Sequence, residues 1–161
     1  MPRRENLDEW GISWERYREL VMFCLQYDQK KRDAAALLTI KLSTPVPVTY
    51  HKLIGDRKVE FGEFMPRGGN RTSDPTAATA AKRDRLLRDV RMIEQAAAAA
   101  VEGEQVLYRP LLRAVTTRGG MQALYANPDT RPPKGERQFK HLRRKFFWIL
   151  SEMKDGFLAE A

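Results

Sequence analysis

The apolar residues near the C-terminus repeat with the period of one helical face, and this constrains the fold more than any other feature. Between Gly135 and Lys154 they fall at positions i, i+3, i+7, i+10, i+11 and i+14. Such a helix needs a hydrophobic core on one side, so the rest of the chain must provide one. The apolar set is Phe139, Leu142, Phe146, Ile149, Leu150 and Met153.

Residues 1–72 are interpreted as an N-terminal helix followed by an extended arm. The helix begins near Ser13, a residue type that caps helices, and its apolar residues from Trp14 to Leu25 lie on one face. We expect it to continue through the alanine run 34–36 towards Leu38. Residues 39–65 are rich in β-branched residues and are interrupted by proline, which favours a short extended or β-hairpin segment. The turn-forming run Arg67–Asn70 follows.

Residues 73–161 are interpreted as a helical domain. Asp74 and Pro75 are typical of a helix start, and Gly103 is a residue type that ends helices. Two shorter helices follow, and an eight-residue loop, Asn127–Lys134, precedes the last helix. The sequence therefore predicts a mostly α-helical bundle with a C-terminal helix-turn-helix-like unit, in addition to the extended segment.

Positive charge is concentrated in the C-terminal third of the chain. Between Arg109 and Lys145 there are ten Lys and Arg residues but only Asp129 and Glu136 to balance them, so this segment accounts for the whole net charge of +8. A basic concentration of this kind is typical of a surface that binds a polyanion. The alternative is a solvated basic face without a specific partner.

A short helix, a turn and a basic amphipathic helix are the elements of a DNA-reading helix-turn-helix. Arg137, Gln138 and His141 are residue types that hydrogen-bond base edges, whereas the basic residues further along suit phosphates. Phe147 and Trp148 fall off the apolar stripe and are candidates for a partner or dimer contact. The predicted nucleic-acid-binding residues are Arg131, Lys134, Arg137, Gln138, Lys140, His141, Arg143, Arg144 and Lys145.

Catalytic and metal-binding signatures are missing from the sequence. It contains no phosphate-binding glycine loop, no G-x-S-x-G, no H-E-x-x-H and no C-x-x-C. The single cysteine, Cys24, lies on an apolar helix face and is interpreted as inert core. We therefore expect no enzyme activity, no cofactor and no bound metal.

The sequence also argues against a membrane protein. No apolar run approaches 18 residues, and the N-terminus lacks the apolar stretch of a signal peptide. We expect no membrane partner and a location in the cytoplasm.

Residues 73–154 resemble small phage-encoded transcriptional activators of the RinA type. The resemblance rests on Ser73–Ala77, which opens a helix, and on Gly135–Phe146, which is similar to that family's recognition helix. It implies a helix-turn-helix related to sigma-factor region 4, and activation of late phage genes through sequence-specific contact with double-stranded DNA. It also implies Arg137, Gln138, Lys140 and His141 as the reading surface. The loop before the last helix is longer than in a usual helix-turn-helix.

Two other functions fit a small, basic, non-catalytic chain. One is a phage inhibitor of a host defence nuclease, similar to anti-CRISPR proteins, whose contact surface would be residues 39–72. The other is a small terminase or DNA-packaging adaptor, which would assemble into a ring. RNA polymerase is a further candidate partner for a regulator. A homodimer is also expected for a protein that reads paired half-sites.

Overall fold

The computed structural model describes residues 7–42, 46–54, 57–65 and 75–160, with side chains for 7–38 and 77–156. A 3-10 turn, Asp8–Trp10, precedes the first helix, α1 (Trp14–Leu25). The side chain of Ser13 accepts a hydrogen bond from the backbone N–H of Arg16 at 3.2 Å. This confirms the predicted N-cap.

The prediction of one continuous N-terminal helix is wrong. α1 ends at Leu25, and a second helix, α2 (Tyr27–Leu42), begins after a break at Gln26. The N–H of Gln26 bonds to the carbonyl of Phe23, three residues back instead of four, with an N···O distance of 3.3 Å. The break separates two packing directions, because α1 lies on the later bundle helices while α2 packs mainly on one other helix.

Residues 39–42 were predicted to be extended but belong to α2. β-branched residues lower helix propensity only weakly, and adding a residue to an existing helix is far easier than starting one. Two antiparallel strands follow, β1 (Val46–Ile54) and β2 (Arg57–Met65), with Val46 opposite Met65 and Ile54 opposite Arg57.

The longest helix, α3 (Pro75–Val101), connects α2 to the rest of the bundle. Towards α2, Asp89 accepts a bond from the Lys30 ammonium at 2.7 Å and Glu94 accepts one from the hydroxyl of Tyr27. Its C-terminal part holds the buried residues Val90, Ile93 and Ala97, which pack in the central core. The predicted cap Asp74 and the turn at 67–70 lie outside the described residues.

α3 ends where the sequence predicts. Glu102 and Gly103 have φ angles of 46° and 88°, so both are in the left-handed region. This conformation cannot continue a right-handed helix.

Two short helices then form a tight pair. α4 (Tyr108–Thr116) is followed by α5 (Gly120–Ala126) after a three-residue turn whose last residue, Gly119, has φ of 64°. Gly120 lies against the backbone of α4, where a Cβ would come within 2.7 Å of the Arg113 carbonyl oxygen. The absence of a side chain at Gly120 therefore permits the close packing of α4 and α5.

The last helix, α6 (Glu136–Glu160), completes a mostly helical bundle, as predicted. A single hydrophobic cluster includes Leu20 of α1, Ile93 of α3, Leu111 of α4 and Phe146 of α6, so both predicted segments contribute to it. Arg16 connects α1 to α6 through a bond from its Nε to the Ser151 hydroxyl at 3.1 Å. No helix in the described ranges combines the length and apolar character needed to span a bilayer.

Candidate nucleic-acid interface

The apolar stripe of α6 is buried as its spacing predicts. Phe139, Phe146 and Leu150 have no exposed surface and Leu142 is also buried. With this face against the core, the residues at 137, 138, 140 and 141 are left exposed on the first turns of the helix.

The loop before α6 is long but is tied to α5 by hydrogen bonds. The hydroxyl of Tyr125 donates to the Lys134 carbonyl at 2.8 Å, and the Arg131 guanidinium donates to the Tyr125 carbonyl at 3.0 Å. The Tyr125 ring also meets Phe139 edge to face, with 5.9 Å between centroids. The start of α6 is therefore fixed against α5 despite the loop length.

Arg137 and Gln138 differ from Lys140 and His141, the other predicted base-reading residues, because those two have partners within the chain. Both side chains are exposed, and neither has an ion-pair or hydrogen-bond partner in the part of the chain that the structure describes. They retain all their donors and acceptors for an external partner.

The lysines of the predicted interface are paired within the chain. The ammonium groups of Lys134, Lys140 and Lys145 lie 2.8, 3.0 and 2.6 Å from carboxylate oxygens. The respective partners are Glu104, Glu136 and Glu102. Lys145 holds the pKa of the Glu102 carboxyl below its usual value.

The two adjacent arginines, Arg143 and Arg144, are both half-buried. Arg143 is half-buried, with its guanidinium 5.2 Å from the centroid of the Phe147 ring, so it packs towards α1 and the interior. Arg144 is also half-buried, and its Nε is shielded from solvent without a hydrogen-bond partner among the described residues. Arg144 shares one side of α6 with His141 and Trp148, at spacings of three and four residues.

An aromatic cluster on this side of α6 was not predicted from the sequence. The Trp10 ring lies 5.4 Å from His141 and 6.1 Å from Trp148, centroid to centroid. His141 is therefore in contact with the N-terminal turn, which leaves its ring less free than that of an isolated surface histidine. The seven-residue spacing of His141 and Trp148 indicates that they lie on one side of α6, but nothing in the sequence placed Trp10 beside them.

Phe147 was predicted to be available to a partner, and this is wrong. Its ring is fully buried and meets Tyr17 of α1 and Phe146 at centroid distances of 5.1 Å each. The prediction assumed one buried face, but α6 packs on α1 as well as on α3. Trp148 remains 39% exposed and keeps the predicted availability.

Neither a metal-ligand cluster nor a reactive thiol is present among the described residues. No group of three or more His, Cys, Asp or Glu among them is arranged to hold a metal ion. Cys24 is fully buried, and burial raises the pKa of its thiol to about 12, which keeps it in the unreactive thiol form.

The chain matches no protein-family model, no curated protein and no solved structure.

Proposed function

We propose that this protein binds double-stranded DNA through the exposed side of α6 and does so without catalysing a reaction. The observation that carries the proposal is the pair Arg137 and Gln138, which are exposed and unpaired among the described residues at the first turns of a helix whose opposite face is buried. In helix-turn-helix proteins the N-terminal residues of the second helix contact base edges.

The spacing along α6 supports this arrangement. Arg144 lies seven residues after Arg137, or about 10 Å along the helix axis at about 1.5 Å per residue. The major groove is about 12 Å wide. With Arg137 at base edges, Arg144 would therefore reach the phosphates at the groove wall, where an arginine can form two parallel hydrogen bonds.

In this proposal α5, the loop and α6 form the helix-turn-helix unit. The bonds from Tyr125 and Arg131 replace the short turn of a usual unit by fixing the longer loop. The role of transcription regulator in a phage or prophage rests on the resemblance of residues 73–154 to activators of the RinA type.

The experiment is selection of binding sites from a random duplex pool, with the wild-type protein, Arg137→Ala and the control Arg91→Ala. Arg91 is also exposed but lies on α3, so its replacement removes the same charge away from α6. We expect one enriched motif for the wild type and the control. Arg137→Ala should relax one or two positions of it, at a cost of about 1–3 kcal/mol in discrimination.

Binding without an enriched motif, or no binding, would refute the sequence-specific reading. A tight complex with a host nuclease and no duplex binding would favour the inhibitor alternative instead. A ring-shaped oligomer in native mass measurements would favour the packaging adaptor.

A further inference from the structure

The three lysines of the predicted interface differ from Arg137 and Arg144 in their contacts with carboxylates. All three lysines, Lys134, Lys140 and Lys145, contact a carboxylate at 3.0 Å or less. Arg137 and Arg144 contact none among the described residues. Two of the three carboxylates are not on α6: Glu102 and Glu104 come from the segment that follows α3. The pairing therefore depends on tertiary structure and not only on neighbours along one helix.

Glu102 is held in an unfavourable backbone conformation. With φ of 46°, it is the non-glycine residue with positive φ in the described part of the chain, and it directly precedes Gly103. Glycine or asparagine adopts this conformation more easily. The side chain of Glu102 is 72% exposed, so it does not contribute to the core. Its contact is with Lys145, at 2.6 Å.

We propose that Glu102, Glu104 and Glu136 compete with DNA phosphate for the three lysines and so set how tightly this surface holds DNA of any sequence. The inference rests on the proposed DNA binding and extends it. Sequence-independent affinity comes almost wholly from cations that neutralise phosphates. A lysine that keeps its carboxylate adds little to this sequence-independent affinity, so the arginines supply most of it.

Competition of this kind has a functional consequence. A DNA-binding protein meets a large excess of non-target DNA, and strong phosphate contacts hold it there. Weakening the lysine contacts shortens these encounters without touching Arg137 and Gln138, the residues proposed to read base edges.

The test is a salt titration of affinity for a labelled random-sequence duplex. The variants are Glu102→Gln, Glu104→Gln, Glu136→Gln and the triple variant. Glu152→Gln is the matched control, because Glu152 is exposed on α6 and has no ion-pair partner among the described residues. It makes the same change in net charge as each single variant.

Exposed ion pairs are weak, so each single substitution should raise affinity by about two- to fivefold relative to the control. The decisive readout is the slope of log affinity against log salt concentration. It should become steeper by about 0.9 for each lysine that gains a phosphate. The control should leave the slope unchanged.

A second measurement separates competition from a general charge effect. Lys140→Gln should change the slope little in the wild type but by about 0.9 in the Glu136→Gln background. Thermal unfolding of each variant verifies that the fold persists.

The outcomes distinguish the two proposals. If the wild type binds duplex DNA but the triple variant has the same slope as Glu152→Gln, the competition model is wrong and DNA binding stands. If neither the wild type nor any variant binds duplex DNA at low salt, both proposals fall.

Discussion

The same substitution, glycine to alanine, should have opposite effects at two helical positions. Alanine is favoured over glycine in a helix by about 0.5–1 kcal/mol. At Gly156 in α6 an added Cβ meets no atom within 4 Å, so Gly156→Ala should gain this free energy of folding. For a chain of this size it corresponds to an increase in Tm of about 1–4 °C.

At Gly120 the added Cβ would lie 2.7 Å from the Arg113 carbonyl oxygen and 2.9 Å from the Ala114 Cα. These are backbone atoms of α4, so the clash is relieved only if α5 moves away from α4. Overpacking of this kind costs about 1–3 kcal/mol, which exceeds the helical gain. Gly120→Ala should therefore lower Tm by several degrees.

The assay is thermal unfolding followed by circular dichroism at 222 nm, with both variants and the wild type in one buffer. The reasoning is refuted if Gly120→Ala is as stable as Gly156→Ala, because the close approach of α4 and α5 would then not constrain the fold. A loss at both positions would instead contradict the open surroundings of Gly156.

Two further predictions concern the core. Phe147→Ala should destabilise the protein by about 3–5 kcal/mol because it empties a fully buried site. Trp148→Ala removes a partly exposed ring and should cost about 1 kcal/mol. Urea unfolding midpoints compare the two variants, and equal losses would contradict the burial of Phe147. Stability should also fall as pH rises above about 9, because the unfolded chain then releases the Cys24 proton that the folded chain keeps up to about 12. Burial and the bond to Glu94 also raise the pKa of Tyr27, so its deprotonation in the unfolded chain adds to the loss of stability at alkaline pH. Tyr27→Phe should therefore make this loss shallower with pH, and an unchanged pH dependence would contradict the contribution of Tyr27.

Features that depend on local sequence could be predicted well. The buried stripe of α6 follows from a repeat that no other element type accommodates, and the Ser13 cap and the stop at Gly103 follow from the backbone preferences of those residues. These are interactions among residues a few positions apart, so a window of sequence contains their cause.

Features that depend on distant partners could not be predicted. Directly after the break at Gln26, Tyr27 bonds to Glu94, which is 67 positions away, so the packing of α2 depends on a distant partner. Phe147 is buried because α1 covers a second face of α6, and its own helix gives no sign of that. In the candidate interface, spacing indicated which side chains are exposed, but it did not reveal which lysines are paired.

The break at Gln26 also separates two helices that we expect to unfold at different free energies. Among the described side chains of α2, Tyr27 and Ala34 are buried, whereas Leu38 is 41% exposed. Segments with few buried apolar contacts open at a lower free energy than the rest of a protein. We therefore expect α2 and the part of α3 it covers to open at a lower free energy than the rest of the bundle. Such an opening would leave the packing of α1 and α4 on α6 in place.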